Sequence, residues 1–532
     1  MNFLKDNFFF LILVFFIIFF LQGIFNLPVL DRDEARFATA SKTMLETGDL
    51  IDIKMQDETR YKKPIGIYWT QVFSNYIFGN APFDKIWVYR IPSLFGIILS
   101  FLFIFKFVQY LYSREVGLLS VFFLGISFLT ISEVHQAKTD GILFFFITLC
   151  NLLLLKGIIK NDLTKTLKII YWISMAFGVL VKGPIIFIFT ILPLIAFSII
   201  QKKNFFSLIW TNIGFLIFLL ISIPWFVLIS IKSNGLFWHE SVINDLFNKV
   251  KSGQESHGFL PGYYTLLIFL FFWPGSIFLP SFFINVKKKF KEYFFQDNLN
   301  CFLLIYFFIP FILYELIPTK LPHYVFPSYA ALSILISKEI INYKFDSSLL
   351  SYAFLPVIIL PLTILVVITF AINEYSSFDN LFFFIISTLI VLFLILLYFL
   401  KKKQIKPILF TAFMHQTFVY LVAVYYLVPQ LNSFWISQNI NKVVDQYVGV
   451  VDEIFHFGFN EPSLVFLTSH KAKQKMISKE DKNKKILFFV ERKFENSIKE
   501  NIELTNFKLV DQIKGFNYSQ GKNKIINIYA NF

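Results

Sequence analysis

The chain has 532 residues, of which 56% are hydrophobic and only 16% charged, and its mean hydropathy is +0.64. A soluble globular chain is about 45–50% apolar and about 25% charged, which argues against a soluble enzyme, a disordered protein and a secreted disulfide scaffold. The formal net charge of +14 does not point to nucleic acid, because most lysines stand in short clusters beside apolar stretches, the pattern of membrane topology. Cys150 and Cys301 both lie inside apolar runs, so they suggest neither a disulfide framework nor a cysteine metal site.

The first apolar stretch, Phe8 to Leu30, is too long for a signal-peptide core and is followed by no small-residue cleavage site, so it reads as an uncleaved helix. Further spans are predicted near 86–109, 116–133, 141–159, 169–181, 183–200, 207–230, 263–284, 299–317, 323–340, 349–372, 381–400 and 407–428. The total is about thirteen helices, each near the ~20 residues that cross the hydrocarbon. Val181-Lys182-Gly183-Pro184 separates the fifth from the sixth, and proline ends a helix. Lys156 to Lys168, Lys202 and Lys203, Lys287 to Lys291, and Lys401 to Lys406 fall on one side if every span crosses. Positive residues in short loops mark the cytoplasm. The loops 31–85 and 231–262, the turns at 134–140 and 318–322, Lys182 and the tail from about 429 are then outside. Residues 1–428 form a membrane part and 429–532 a small α/β domain, with strands expected at 463–468, 485–490 and 524–529 and a helix at 438–447.

The first outside loop carries the strongest signal. Asp33 is placed to cap a helix running to Thr47, with Gly48 past its end. A second helix starts at Pro64, with Ile65, Tyr68, Trp69, Val72, Phe73 and Tyr76 on its apolar face and Gly79 as a stop. Both are expected to lie along the membrane surface. They bracket Asp33, Glu34, Arg36, Lys62 and Lys63. A cap with interfacial anchors would explain one isolated acid, but clustered charges of both signs beside aromatic residues favour a functional site. More ionisable residues stand at other outward helix ends: Glu133, His135, Lys138 and Asp140, then Lys182, then Glu315, Lys320, His323 and Tyr324. Such residues are costly within a membrane and usually face a cavity.

Basic residues beside an acid at a membrane surface suit a phosphate-bearing lipid: the cations hold the phosphate and the carboxylate takes a proton from an attacking hydroxyl. No nucleotide-binding loop is evident, so an activated group would arrive attached to lipid. The loop from His239 to His257 offers His239, Glu240, Glu255 and His257, but Ile243 stands where a metal-binding helix would need its second histidine, so substrate contact or loop structure is expected rather than metal.

Several segments together resemble the lipid-linked-sugar glycosyltransferases of the GT-C class, the group that contains the aminoarabinose transferase of lipid A and the protein O-mannosyltransferases. They are Arg32-Asp33-Glu34-Ala35-Arg36-Phe37-Ala38, Tyr61-Lys62-Lys63-Pro64-Ile65-Gly66-Ile67-Tyr68-Trp69, Tyr89-Arg90-Ile91-Pro92-Ser93, Thr139-Asp140, Leu180-Val181-Lys182-Gly183-Pro184 and Lys320-Leu321-Pro322-His323-Tyr324. Gly253 to Gly258, ahead of Pro261-Gly262-Tyr263-Tyr264, looks like a bacterial subgroup. The resemblance implies a GT-C fold and transfer of a sugar, with inversion, from a polyprenyl-phosphate donor to an envelope acceptor. That acceptor is lipid A or lipopolysaccharide rather than protein, and the reaction sits on the outer face of a bacterial inner membrane. It implies Asp33 and Asp140 as catalytic acids, and Arg36, Lys63, Lys182, Tyr324 and, more loosely, Lys249 as holders of the donor phosphate. Glu34, Lys62, Glu240, Glu255, His257, Lys320 and His323 are the further expected substrate contacts. No metal or other cofactor is required on this reading, and the partners are the donor, the acceptor and the bilayer, not nucleic acid. The family often carries an acid where this chain has Lys62 and a tyrosine where it has Phe37, which leaves the sugar and acceptor open. A lipid-linked-sugar transporter or flippase is the alternative, and a bare membrane anchor for the tail leaves the charged loop unexplained.

Overall fold

The computed structural model describes residues 2–251, 253, 258–342, 347–468, 472–475, 484–495 and 507–532. The apolar runs fold as helices because a spanning segment must satisfy its backbone internally. Among the described residues nine helices are long and apolar enough to cross a membrane, or eleven if two bent pairs each count as one span. These pairs are Arg114–Ile126 with Phe128–Val134, bent by 66°, and Tyr263–Phe271 with Gly275–Lys288, bent by 117°. The protein is therefore a multi-pass membrane protein. The expected count of about thirteen exceeds this because two segments fall short as spans. The helix Lys165–Lys182 carries Lys165, Lys168 and Lys182, and the apolar stretch 185–200 is short and broken at Thr190. Gly183, at φ +64°, turns the chain between them.

Two close approaches set the outer end of the bundle. A Cβ on Gly96 would lie 2.5 Å from the carbonyl oxygen of Gly141, so the helices Ile86–Leu111 and Asp140–Lys160 cross backbone to backbone. A Cβ on Gly66 would lie 2.7 Å from the Leu180 carbonyl, so the helix Gly66–Phe78 seats on the end of Lys165–Lys182. The first contact fixes the start of the Asp140 helix, and the second brings the 60–65 loop beside Lys182.

The first-loop helix runs Asp33–Thr47, and Gly48 closes it in the left-handed conformation with its N–H on the Met44 carbonyl. Asp33 is its first residue rather than its cap, that position being held by Arg32 at φ 67°. The surface helix expected from the sequence is instead buried on most sides, from Ala35 and Phe37 through Met44. The C-terminal domain covers its outer side, and the Lys42 ammonium donates to the Phe466 carbonyl at 3.0 Å. In the second helix the predicted apolar face divides. Ile65, Tyr68 and Val72 pack inward, while Trp69, Phe73 and Tyr76 stay exposed as interfacial residues do.

A small hairpin, β1 (Lys54–Met55) with β2 (Glu58–Thr59), lies in the first loop. The tail forms a five-stranded sheet from β3 (Glu453–Phe457), β4 (Ala472–Gln474), β5 (Ile486–Glu491), β6 (Lys508–Asn517) and β7 (Lys522–Ala530), in the order β4-β3-β5-β7-β6. The β3 strand is parallel to β4 and β5, and β7 is antiparallel to both its neighbours. The strands expected at 485–490 and 524–529 and the helix near 438–447 are present within a residue or two, the helix as Ile436–Asp445. The strand expected at 463–468 is a helix, Pro462–Thr468. Its apolar run is buried all round, Leu464 in the sheet's core and Phe466 against Ala35, Ala38 and Tyr89, and a run buried on every side has no period to separate strand from helix.

One ion pair joins these parts. Arg90 is fully buried and grips Glu34 in a fork, Nε to Oε1 and Nη2 to Oε2, both at 2.8 Å. Its remaining N–H groups donate to the carbonyls of Ile24, Leu27 and Pro28, which end the first helix. Glu34 also accepts from the N–H groups of Leu30 and Ala137, both at 2.9 Å. Removing one partner of such a pair leaves an uncompensated buried charge. Glu34→Ala should cost about 3–5 kcal/mol, measured as a lowered thermal unfolding midpoint in detergent.

Candidate active site

The helix ends on one side of the bundle enclose a cavity of about 480 Å³. Asp33 and Arg36 reach it from the first turns of the Asp33–Thr47 helix, and Lys62 and Lys63 from the loop before the second. Asp140 opens its helix there, and Lys182 ends another. Asp245 and Lys249 come from the 239–251 segment, and His323 and Tyr324 from the turn Pro322–Ser328. Ile185, Ile188, Phe226, Trp238, Val242, Leu246 and Val250 give the cavity an apolar wall.

The charges are arranged as pairs. The Lys182 ammonium donates to Asp140 Oδ1 at 2.6 Å and stands 5.5 Å from the centre of the Tyr324 ring. Asp245 accepts from Lys63 at 2.5 Å and from Lys249 at 2.7 Å. Lys138 lies 3.0 Å from Glu133 and 3.2 Å from His323 Nδ1. Asp33 differs: among the described residues its carboxylate makes no hydrogen bond and no ion pair. Burial pushes the Lys63 ammonium down to about 8, against the pull of Asp245. Burial alone would raise the Asp245 carboxyl, but Lys63 and Lys249 together hold it at about 2.

Every residue expected on the donor phosphate thus lines one cavity with both expected acids, and Lys62 and His323 join them. Other expected contacts stand elsewhere. Glu34 is consumed by Arg90. Glu240 is half-buried and accepts from Asn244 at 2.9 Å. Lys320 is buried and donates to the carbonyls of Tyr314, Glu315 and Ile317, which it caps as the end of a helix. Glu255 and His257 lie outside the described residues. The sequence reading missed Arg32, Arg60 and Asp245. Asp245 had a signal, since it stands four residues before Lys249 and the two pair on one helical face.

Glu133, Asp140 and His323 place one ligand-type atom each within 4.8 Å of one another. Lys138 and Lys182 already neutralise these carboxylates, through Glu133 Oε1 at 3.0 Å and Asp140 Oδ1 at 2.6 Å, so a divalent ion would be placed beside two ammonium groups. The cluster fits an ion-pair network better than a metal centre.

Residues 62–228 match the family described as dolichyl-phosphate-mannose-protein mannosyltransferase. The undecaprenyl phosphate-α-4-amino-4-deoxy-L-arabinose arabinosyl transferase 2 of Proteus mirabilis is 26% identical over 333 residues, 62% of this chain and 58% of that protein. An uncharacterised protein of Aquifex aeolicus is 28% identical over 346 residues, 64% of this chain and 76% of its own length. In structure, the chain resembles ArnT from Cupriavidus metallidurans bound to undecaprenyl phosphate, with a TM-score of 0.76 at 15% identity over 98% of both chains. The fold and the cavity therefore define a multi-pass membrane protein of the GT-C fold. Within that class the chain is similar to the aminoarabinose transferases, and its alignment spans somewhat over half the length of the relatives so named.

With Lys63 at about 8, its reaction with an amine-selective acylating reagent should half-saturate near that pH. In Asp245→Asn the midpoint should fall, because the charge that holds the proton on has gone. Peptide mass mapping across a pH series reads both.

Proposed function

We propose that the protein is a glycosyltransferase that moves a sugar, with inversion, from a polyprenyl-phosphate donor to an envelope acceptor, lipid A or lipopolysaccharide rather than protein. The observation that carries this reading is the cavity's division of labour: Lys63, Lys182 and Lys249 are held in place by Asp245 and Asp140, while Asp33 faces the same space with no ion-pair or hydrogen-bond partner for its carboxylate among the described residues. The names of the relatives, and the lipid phosphate bound in the structural neighbour, support a donor of this class.

The acceptor oxygen attacks the anomeric carbon from the face opposite the lipid phosphate. The bond from that carbon to the phosphate oxygen breaks, and the phosphate leaves with an added negative charge. Arg36, Lys63, Lys182 and Lys249 stabilise that charge where it grows, with Tyr324 packed against Lys182. Asp33 takes the proton of a hydroxyl acceptor, or orients an acceptor that is already ionised. Asp140 stays bound to Lys182 and sets where its ammonium points. The apolar wall takes the first prenyl units. The cavity lies at the helix ends opposite Lys160, Lys202, Lys287 to Lys289, and Lys401, so it opens on the outer face of the inner membrane by the positive-inside rule.

Asp33→Asn should lower transfer by about 10²–10⁴-fold with the fold intact, measured with purified protein and a labelled polyprenyl-phosphate sugar in a single compartment. A transporter would show no covalent transfer in that assay. Chelation before assay should leave the rate unchanged, since lysines already neutralise the clustered carboxylates. Lys63 is charged below about 8 and neutral above, so donor affinity should fall as pH rises through that value. In Lys63→Arg, whose guanidinium stays charged, the profile should flatten.

A further inference from the structure

We infer that the C-terminal domain is a positioning element of the active site, acting through the turn between β6 and β7 on the two residues that precede Asp33. The inference rests on the role proposed for Asp33. Arg32 is not glycine, yet it stands at φ 67° and ψ −108° at the start of the Asp33 helix. A side-chain-bearing residue keeps such a conformation only where its surroundings over-determine it. On one flank the membrane domain does this, through Arg90 and Glu34.

On the other flank the holds among the described residues come from the tail. The Asp31 N–H donates to the Tyr518 hydroxyl at 2.7 Å. The Arg32 guanidinium donates to the Ser519 carbonyl. The Asp31 carboxylate accepts from the Ser463 N–H at 3.3 Å. Phe466 packs behind, against Ala35 and Ala38. The turn that does the holding is itself braced. Glu461 is buried and its Oε1 accepts from Asn517 at 2.6 Å, Ser519 at 2.8 Å and Gln520 at 2.9 Å.

Asp33 is thus set from both sides, by the membrane domain after it and the tail before it. The phosphate-holding lysines are set separately, by Asp140 and Asp245. Tyr518 and Glu461 are positioning residues: they touch no substrate, and loosening them should misplace the base and leave donor binding alone.

The test is steady-state kinetics of Tyr518→Phe and Glu461→Ala in the full chain, alone and combined with Asp33→Asn. Tyr518→Phe should lower kcat by about five- to tenfold, the loss expected of one buried hydrogen bond, with KM for the donor within about twofold of the parent. Glu461→Ala should lower kcat further, and hydrogen exchange should quicken over residues 30–38 in both. Neither change should slow the Asp33→Asn protein further, because the group they position is gone. Unchanged kcat in both variants, a matching rise in donor KM, or an equal further loss in the Asp33→Asn background overturns the inference. A fully active Asp33→Asn overturns the proposed role of Asp33 instead, so the two failures are distinct.

Discussion

The arrangement depends on a cation buried where water cannot reach it. Arg90 has no solvent contact, and its charge is tolerable only because Glu34 and three carbonyls complete its hydrogen bonds. Glu34 is adjacent in sequence to Asp33, and its other bonds run to Leu30 and to Ala137, three residues before Asp140. One ion pair therefore ties the end of the first helix, the helix that opens with Asp33 and the approach to Asp140. A membrane protein gains little from the hydrophobic effect between its helices, so polar bonds and close backbone packing do this locating work. The crossings at Gly96 and Gly66 supply the packing.

The cavity shows the same economy of charge. Its lysines are not bare: Asp245 is shared by Lys63 and Lys249, and Asp140 holds Lys182. These carboxylates offset the mutual repulsion of the cations and fix their direction. Asp33 alone among the cavity's acids is left without a partner among the described residues. A carboxylate that must accept a proton is of least use when an ammonium already holds it, which is why the proposed role of base falls to Asp33.

Much of this was legible in the chain. The spans follow from apolar length, and Pro64, Lys182-Gly183-Pro184 and Gly48 mark breaks that the structure keeps. The gathering of Asp33, Arg36, Lys63, Asp140, Lys182, Lys249 and Tyr324 followed from their common side and the family resemblance. What was not legible depends on long-range contact. Glu34 looks as reactive as Asp33 until Arg90, 56 residues away, is seen to hold it. Lys320 resembles a substrate contact until it is found capping a helix. The 33–47 helix reads as amphipathic because the tail that buries its outer side lies more than 400 residues on. Segment 463–468 is apolar enough for either strand or helix, and its packing between two domains decides.

The central claim is that a covalent transfer from lipid-linked sugar to an envelope acceptor takes place here. Mass analysis of envelope glycolipids and proteins from cells with and without the gene tests it most directly. The account predicts that loss of the gene removes a sugar-sized increment from a glycolipid and lets the polyprenyl-phosphate sugar accumulate. An envelope of unchanged composition, with the donor pool unaltered, would contradict it.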